Sequence, residues 1–379
     1  MMPLLRDEPT IETGTESWYH DSPNSPEPVR DDVYRIPESI PPKAQKGWHR
    51  EHKRMVREAT ANPVKLPNYD LTAHRAAINP LTNSFPALGS PGRRVGRWIY
   101  LRGATPKVVI DENGKTVLWW FPELLGQKTL DKFNDATNEF ISYEMATHEG
   151  TKVLKPMGVT SNGKARAGLD TYTTNKGIYG AGTYVKAWHQ LGQWDKKDFE
   201  PSRSLTNNRT TKQLIRRDNY FYASQNVDWK IDDMTNLIHP QFRRAQAELR
   251  MKLKSHPTIS HIQRAITTDF PGRSVIVNRQ SGEHFDKSGI PNGVDVLVGA
   301  GSVRSGGQVR FEDIKVQAEL LPGAAIFFDG TSYRHAITPW KGEQRISVAY
   351  FAHRSVFQQL EIEIDFDLID LADVKARVE

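Results

Sequence analysis

The chain has 379 residues, 37% of them apolar and 25% charged, with no cysteine. It has no run of about 18 apolar residues such as a membrane span requires, so a membrane-spanning class is excluded. Without thiols there are no disulfides and no thiolate metal sites, and any metal must sit on His, Asp or Glu. The formal charge of +6 is segregated: residues 1–40 hold 9 acids and 3 bases, residues 360–379 hold 7 acids and 2 bases, and the remainder carries +17. A body this basic favours polyanions, nucleic acid first, against the plainer reading of a solubilising surface. The N-terminus opens acidic and Pro-rich, without a basic n-region and apolar h-region, so a nuclear or cytosolic location is expected.

Residues 1–42 gather Pro23, Pro26, Pro28, Pro37, Pro41 and Pro42 among acids and serines. Such a composition buries too little apolar area to offset ordering entropy, and it predicts a disordered tail ahead of one domain over 43–379. Lys43–Ala61 sets Lys46, Arg50, Lys53, Arg54 and Arg57 around Trp48 and Met55, predicting a basic helix that contacts phosphates or simply faces water. Arg97–Leu101, Lys107–Ile110 and Thr116–Trp120 alternate with turn residues and predict strands in a hairpin pattern. Apolar spacing predicts helices over Lys128–Thr147 and Ile231–Leu253, buttressing a sheet. Residues 155–227 show weak periodicity and are expected to form long loops. From Arg273 to Phe357 short β-rich runs predict an antiparallel sandwich or jelly-roll barrel, giving an α+β fold with its β core at about 273–357.

His284-Phe285-Asp286 places an imidazole and a carboxylate two residues apart, on one face of an extended strand. His335 follows 51 residues after His284, completing a facial triad that leaves open positions on a non-haem Fe(II) ion. Ten residues further, Arg345 presents a planar fork suited to the distal carboxylate of 2-oxoglutarate, and Ser347 lies on the same strand face. Each histidine alone is more often structural than ligating, and the weight comes from the order of the whole set. His49-Arg50-Glu51 repeats the spacing in a basic helix, which argues against a metal there. Gly158–Lys164 lacks the Ser or Thr of a phosphate-binding loop. The glycines at 299, 301, 306 and 307 predict a mobile loop between strands, with Arg304 touching a phosphate or facing solvent.

The stretch from Arg273 to Phe357 resembles the double-stranded β-helix (jelly-roll) core of 2-oxoglutarate/Fe(II) dioxygenases. His284-Phe285-Asp286, Asn292-Gly293, Leu321-Pro322-Gly323, Phe328, His335 and Arg345-Ile346-Ser347 resemble the TET/JBP nucleobase-oxidising branch, in the manner of a fungal-type member. The resemblance implies Fe(II) on His284, Asp286 and His335, 2-oxoglutarate on Arg345 and Ser347 with Asn278 nearby, and O2 as oxidant. It further implies a monomer acting on double-stranded DNA, with the methylated base flipped out to be read on its edge. His353, eight residues after the arginine, matches a base-contacting histidine of animal members. Asp329 either accepts from an exocyclic amine of the base or caps a turn, and Asn292 and Arg304 are further candidate substrate contacts. Gly289 stands where animal members have asparagine, and their cysteine-rich zinc region is absent. The implied reaction takes 5-methylcytosine to 5-hydroxymethylcytosine and beyond, with N6-methyladenine as another substrate. Two other readings stay open: a protein hydroxylase with the same iron site, and a DNA-binding module without catalysis.

Overall fold

The computed structural model describes residues 40–78, 94, 96–144, 171–172, 180–189, 198–206, 211–256, 259–260, 262 and 266–379. The expected acidic tail lies outside these residues up to position 39, as does the Gly158–Lys164 segment. At its end the tail boundary is corrected, because Ile40 is buried, its carbonyl accepts from Gln45 Nε2 at 2.8 Å, and helix α1 (Pro42–Ala61) begins at once. Proline suits the first helical turn, where N–H groups have no intrahelical partner, and Pro63 stops the helix from continuing. The basic face is partly self-paired, Arg54 bridging Glu51 and Glu58, while His52, Met55, Val56 and Ala59 face inward.

Helices α2 (Leu71–Ala77), α3 (Gln127–Glu144) and α4 (Arg203–Thr206) come next. Two helices, α5 (Thr211–Ile238) and α6 (Pro240–Lys254), replace the single one expected over Ile231–Leu253. They part at His239 because Pro240 lacks the N–H a continuous helix needs, and His239 Nδ1 caps α6 by accepting from Phe242 N at 3.3 Å. Much of α5 falls where loops were expected. Its buried apolar residues Tyr220, Phe221, Val227, Ile231 and Met234 are interleaved with buried Asp228, Lys230, Asp232 and Asp233, which flattens the helical pattern. Those charges have internal partners: Asp228 pairs with Arg273, Asp233 meets His49 and His52 at 2.8 and 2.6 Å, Asp232 accepts from Thr268 Oγ1 at 3.0 Å, and Lys230 Nζ lies 4.7 Å from the Trp48 ring centroid. His49 is thus engaged through Nδ1 with the buried Asp233. Helices α7 (Arg354–Gln359) and α8 (Leu371–Val378) close the chain.

The large sheet orders its strands β1 (Val64–Lys65), β3 (Lys107–Ile110), β4 (Thr116–Phe121), β12 (Ala325–Phe328), β9 (Asp295–Gly306), β14 (Trp340–Phe351), β7 (Gly272–Val277) and β6 (Gly180–Val185). The small sheet orders β13 (His335–Ile337), β10 (Val309–Phe311), β11 (Val316–Ala318) and β2 (Ile99–Leu101), and β5 (Thr171–Tyr172) pairs with β8 (Arg279–Gln280). The β core thus reaches beyond Arg273–Phe357: the β3–β4 hairpin joins β12, and β2 leaves the hairpin to run parallel beside β11. Nor is 299–306 a loop, because β9 continues through it along β14. Its glycines answer close approach, since a Cβ on Gly299 would lie 2.9 Å from the Leu320 carbonyl oxygen and Gly301 has a φ of +84°.

Alternation sorts the large sheet into two faces. Trp119, Phe121, Val298, Ala300, Val348 and Tyr350 pack toward the helices. The opposite face divides in two. On β3, β4 and β12, Val109, Leu118, Trp120, Ile326 and Phe328 share a core with Val309, Phe311, Val316 and Ile337 of the small sheet, with the Phe311 and Phe328 rings 4.9 Å apart. On β9, β14, β7 and β6 the same face carries Gly299, Gly301, Arg345, Ser347, Ser274 and Thr183, paired in register as Gly301 with Arg345, Gly299 with Ser347 and Thr183 with Ser274. Small and polar residues with one arginine thus occupy this half, where the other half carries an apolar core.

Candidate active site

His284 and His335 form a one-residue antiparallel bridge, exchanging N–H···O bonds of 3.1 and 3.0 Å that set their ring centroids 4.3 Å apart. His335 opens β13, whereas His284 lies on irregular chain rather than the extended strand expected of the His-x-Asp pair. The Asp286 N–H donates to Gly330 O at 2.9 Å, and its carboxylate comes to 3.9 Å from His284 Nε2 and 3.5 Å from His335 Nε2. The three ligating atoms lie within 4.8 Å of one another, the sole such cluster among the described residues.

Both imidazoles are prepared for a metal. His284 Nδ1 sits 2.8 Å from Gly282 O and His335 Nδ1 3.0 Å from Tyr333 O. A carbonyl can only accept, so each Nδ1 carries a proton and Nε2 is the nitrogen turned toward Asp286 and available to a metal. Burial, with His284 alongside, pushes His335 down to about 4, which keeps it in the neutral form that ligation requires. The cluster opens outward: the side chains of His284 and Asp286 are 40% and 44% exposed, against 5% for His335. These three residues could hold a divalent ion with coordination positions to spare.

The turn after β12 fixes Asp286 from behind. Asp329 accepts from Arg75 Nη1 at 2.7 Å, Asn292 N at 2.9 Å and Ser332 Oγ at 2.7 Å on one oxygen, and from Thr331 N and Oγ1 on the other. Of the two roles read for Asp329 from the sequence, these bonds are those of a turn-capping carboxylate. Asn292 is likewise inward-facing, with a φ of +56° and Nδ2 donating to Phe366 O at 2.6 Å, so it too has a structural role. Between them Gly330 donates to Asp295 Oδ2 at 3.1 Å, and a Cβ there would stand 2.6 Å from Asp286 Oδ2. Burial beside Asp286 and Asp329 raises the Asp295 carboxyl well above its ordinary range. Asp295, Gly330 and Arg75 escaped the sequence reading, since no local spacing links them to the triad.

Arg345 is 1% exposed and has no carboxylate partner among the described residues. Burial alone pushes its guanidinium down to about 10. Nη1 donates to Ser347 Oγ at 3.3 Å, while Nε and Nη2 have no acceptor among the described residues. A buried cation with orphaned donors fits an anionic ligand of the 2-oxoglutarate kind. Asn278, held at a φ of +51°, accepts from Arg345 N through Oδ1 at 2.8 Å and donates its own N–H to Arg345 O at 2.8 Å. It anchors the arginine main chain.

His353 packs edge-on to Phe351 at 5.3 Å and Trp188 at 6.3 Å, and burial pushes it down to about 4 against the opposing charge of Asp286. Arg354 N donates to Ser288 O at 2.9 Å, which ties His353 to the turn after Asp286. Arg304 stands exposed on β9.

No protein-family model matches the sequence, and no curated protein matches it. Among solved structures the chain is similar to NgTET1 in complex with 5mC DNA, at 14% identity and a TM-score of 0.47 over 84% of this chain and 92% of that one. It is also similar to a Pseudomonas putida prolyl-4-hydroxylase, at 11% identity and a TM-score of 0.29 over 62% of this chain and 92% of that one. A third is an oxidoreductase of the 2OG-Fe(II) oxygenase family from Burkholderia pseudomallei, at 17% identity and a TM-score of 0.20 over 28% and 60%. Among the described residues no helix is long and apolar enough to cross a membrane.

Proposed function

We propose that this chain is an Fe(II)- and 2-oxoglutarate-dependent dioxygenase with the jelly-roll architecture of that class, oxidising the methyl group of a modified DNA base, 5-methylcytosine first. One observation carries the reading: the β framework holds both a His-Asp-His cluster whose Nε2 atoms turn toward the Asp286 carboxylate and a buried arginine that has orphaned donors and no carboxylate partner among the described residues. Iron, 2-oxoglutarate and O2 supply the oxidising chemistry and yield succinate and carbon dioxide. The protein's part is positional. His284 and His335 present neutral Nε2 donors, Asp286 balances metal charge, and Arg345 with Ser347 receives a carboxylate while Asn278 holds the arginine's main chain. The half-exposed edge at His284 and Asp286 admits the substrate, and His353 offers an uncharged imidazole to a flipped base.

The DNA part of the reading rests on the +17 body and on the sequence resemblance, with Arg304 among the cations available to phosphates and the nucleus as place of action. The test is mass spectrometry of nucleosides after incubation with Fe(II), 2-oxoglutarate and duplex DNA carrying 5-methylcytosine or N6-methyladenine. Oxidised 5-methylcytosine supports the proposal, oxidised N6-methyladenine moves the base, and succinate release without any oxidised base overturns the nucleic-acid substrate.

A further inference from the structure

Three N–H donors on two adjoining side chains are buried without an acceptor among the described residues: Arg345 Nε, Arg345 Nη2 and Trp340 Nε1. The first two follow from the reading above, but the indole does not. The guanidinium carbon of Arg345 lies 5.7 Å from the Trp340 ring centroid. The turn from β9 to β10 brings the two residues to the same glycine: Gly306 and Gly307 have φ of +75° and +62°, and Gly307 N donates to Pro339 O at 3.1 Å. A Cβ on Gly307 would meet Arg345 Nε at 3.1 Å and Trp340 Cβ at 3.4 Å, so nothing but hydrogen separates the turn from both side chains. A buried N–H left unpaired costs about 1–3 kcal/mol. Tryptophan normally finds a partner for its N–H when buried, as Trp120 does with Glu319 O at 2.7 Å on the same sheet.

We propose that Trp340 is the second arm of the anion pocket: its Nε1–H donates to the carboxylate that Arg345 receives, so that the ligand is held by guanidinium and indole together. The inference rests on the 2-oxoglutarate reading of this pocket and names a residue that the triad and arginine motif do not include. The chemistry selects a carboxylate, because Arg345 supplies charge and a planar fork while the indole supplies a donor that is never an acceptor. Stacking keeps the guanidinium in place before the ligand arrives, and Ser347 orients it from the other side.

The test compares wild type with Trp340→Phe, which keeps a ring beside Arg345 and removes only the N–H. Calorimetric titration with 2-oxoglutarate, on Mn(II)-loaded protein where no turnover occurs, is expected to show Kd raised roughly tenfold or more. The ligand-free thermal midpoint should hold or rise, because an orphaned donor has gone. Equal Kd values in the two proteins overturn the second arm and leave the dioxygenase reading intact. Should wild type ignore 2-oxoglutarate yet bind inorganic sulfate, and Trp340→Phe bind that sulfate more weakly, the two-armed anion pocket stands and the cosubstrate assignment falls. Binding of neither probe by wild type overturns both.

Discussion

Replacing Arg345 with methionine should stabilise the empty protein while abolishing its response to ligand. The guanidinium is 1% exposed and faces no carboxylate among the described residues, and burial lowers it from the ordinary arginine range to about 10, which corresponds to roughly 3 kcal/mol of penalty on the charged form. Stacking on Trp340 and the Ser347 bond return part of that, about 1–2 kcal/mol together. Methionine is flexible, apolar and close enough in length to fill the space, so the net gain is about 1–2 kcal/mol, worth a few degrees in Tm. Wild type should then gain about 2.7 kcal/mol when 2-oxoglutarate stands at a hundred times its Kd, and Arg345→Met should gain nothing. Thermal scans of both proteins with Mn(II), with and without 2-oxoglutarate, read all four values. A variant less stable than wild type by 2 kcal/mol, or one still stabilised by the ligand, would mean that Arg345 has an internal partner and that the anion pocket is misread.

Gly330→Ala should cut Mn(II) affinity roughly 10–100-fold with the fold intact, because the new Cβ stands 2.6 Å from Asp286 Oδ2 and moves the ligand; an unchanged Mn(II) EPR titration contradicts the placement. Asp329→Ala removes the acceptor of the β12–β13 turn and should cost about 2–4 kcal/mol in urea unfolding without altering which base is oxidised; a loss below about 1 kcal/mol refutes the clamp. His239 uses both ring nitrogens on the main chain, and burial holds it at about 4 against 6.5 in the unfolded chain. Below 6.5 the unfolded state takes up the proton and the folded state does not, so stability present above 6.5 drains away as pH falls toward 4, by up to roughly 3 kcal/mol. His239→Gln should flatten that part of the pH–stability curve, and an unaltered curve rules this histidine out as a source. DNA affinity should fall with salt at a log–log slope of about −0.9 per phosphate contacted, and a flat response removes the nucleic-acid partner.

How much of this was legible in the sequence depended on the kind of force that specifies each part. Strands β3, β4, β7, β10 and β12 follow from short runs of apolar, β-prone residues bounded by turn residues, a local pattern that needs no distant partner to be read. Helix α5 escaped the same reasoning for a physical cause: it buries Asp228, Asp232 and Asp233 against Arg273, Thr268, His49 and His52, partners drawn from distant segments, and paired charges look like solvated ones until the chain is folded. The glycines of β9 misled in the opposite direction. Glycine reads as loop locally, yet here it lets the Leu320–Leu321 backbone and the inner face of β14 come close.

The site divides along the same line. His284, Asp286, His335, Arg345 and Ser347 could be picked out because ligand chemistry restricts residue type and the β framework restricts spacing. Arg75 and Asp295 could not, since they act by holding the turn through Asp329 and Gly330, and any chain segment passing at the right distance could have supplied such a grip. Trp340 belongs to neither group. Five residues before Arg345 it reads as an ordinary strand aromatic, and only the buried, unmet N–H beside an unmet guanidinium marks it as part of the pocket. An unmet donor alone is not enough, since Trp229 Nε1 and Arg273 Nε are buried without acceptors too, and what sets Trp340 apart is the unmet guanidinium that adjoins it.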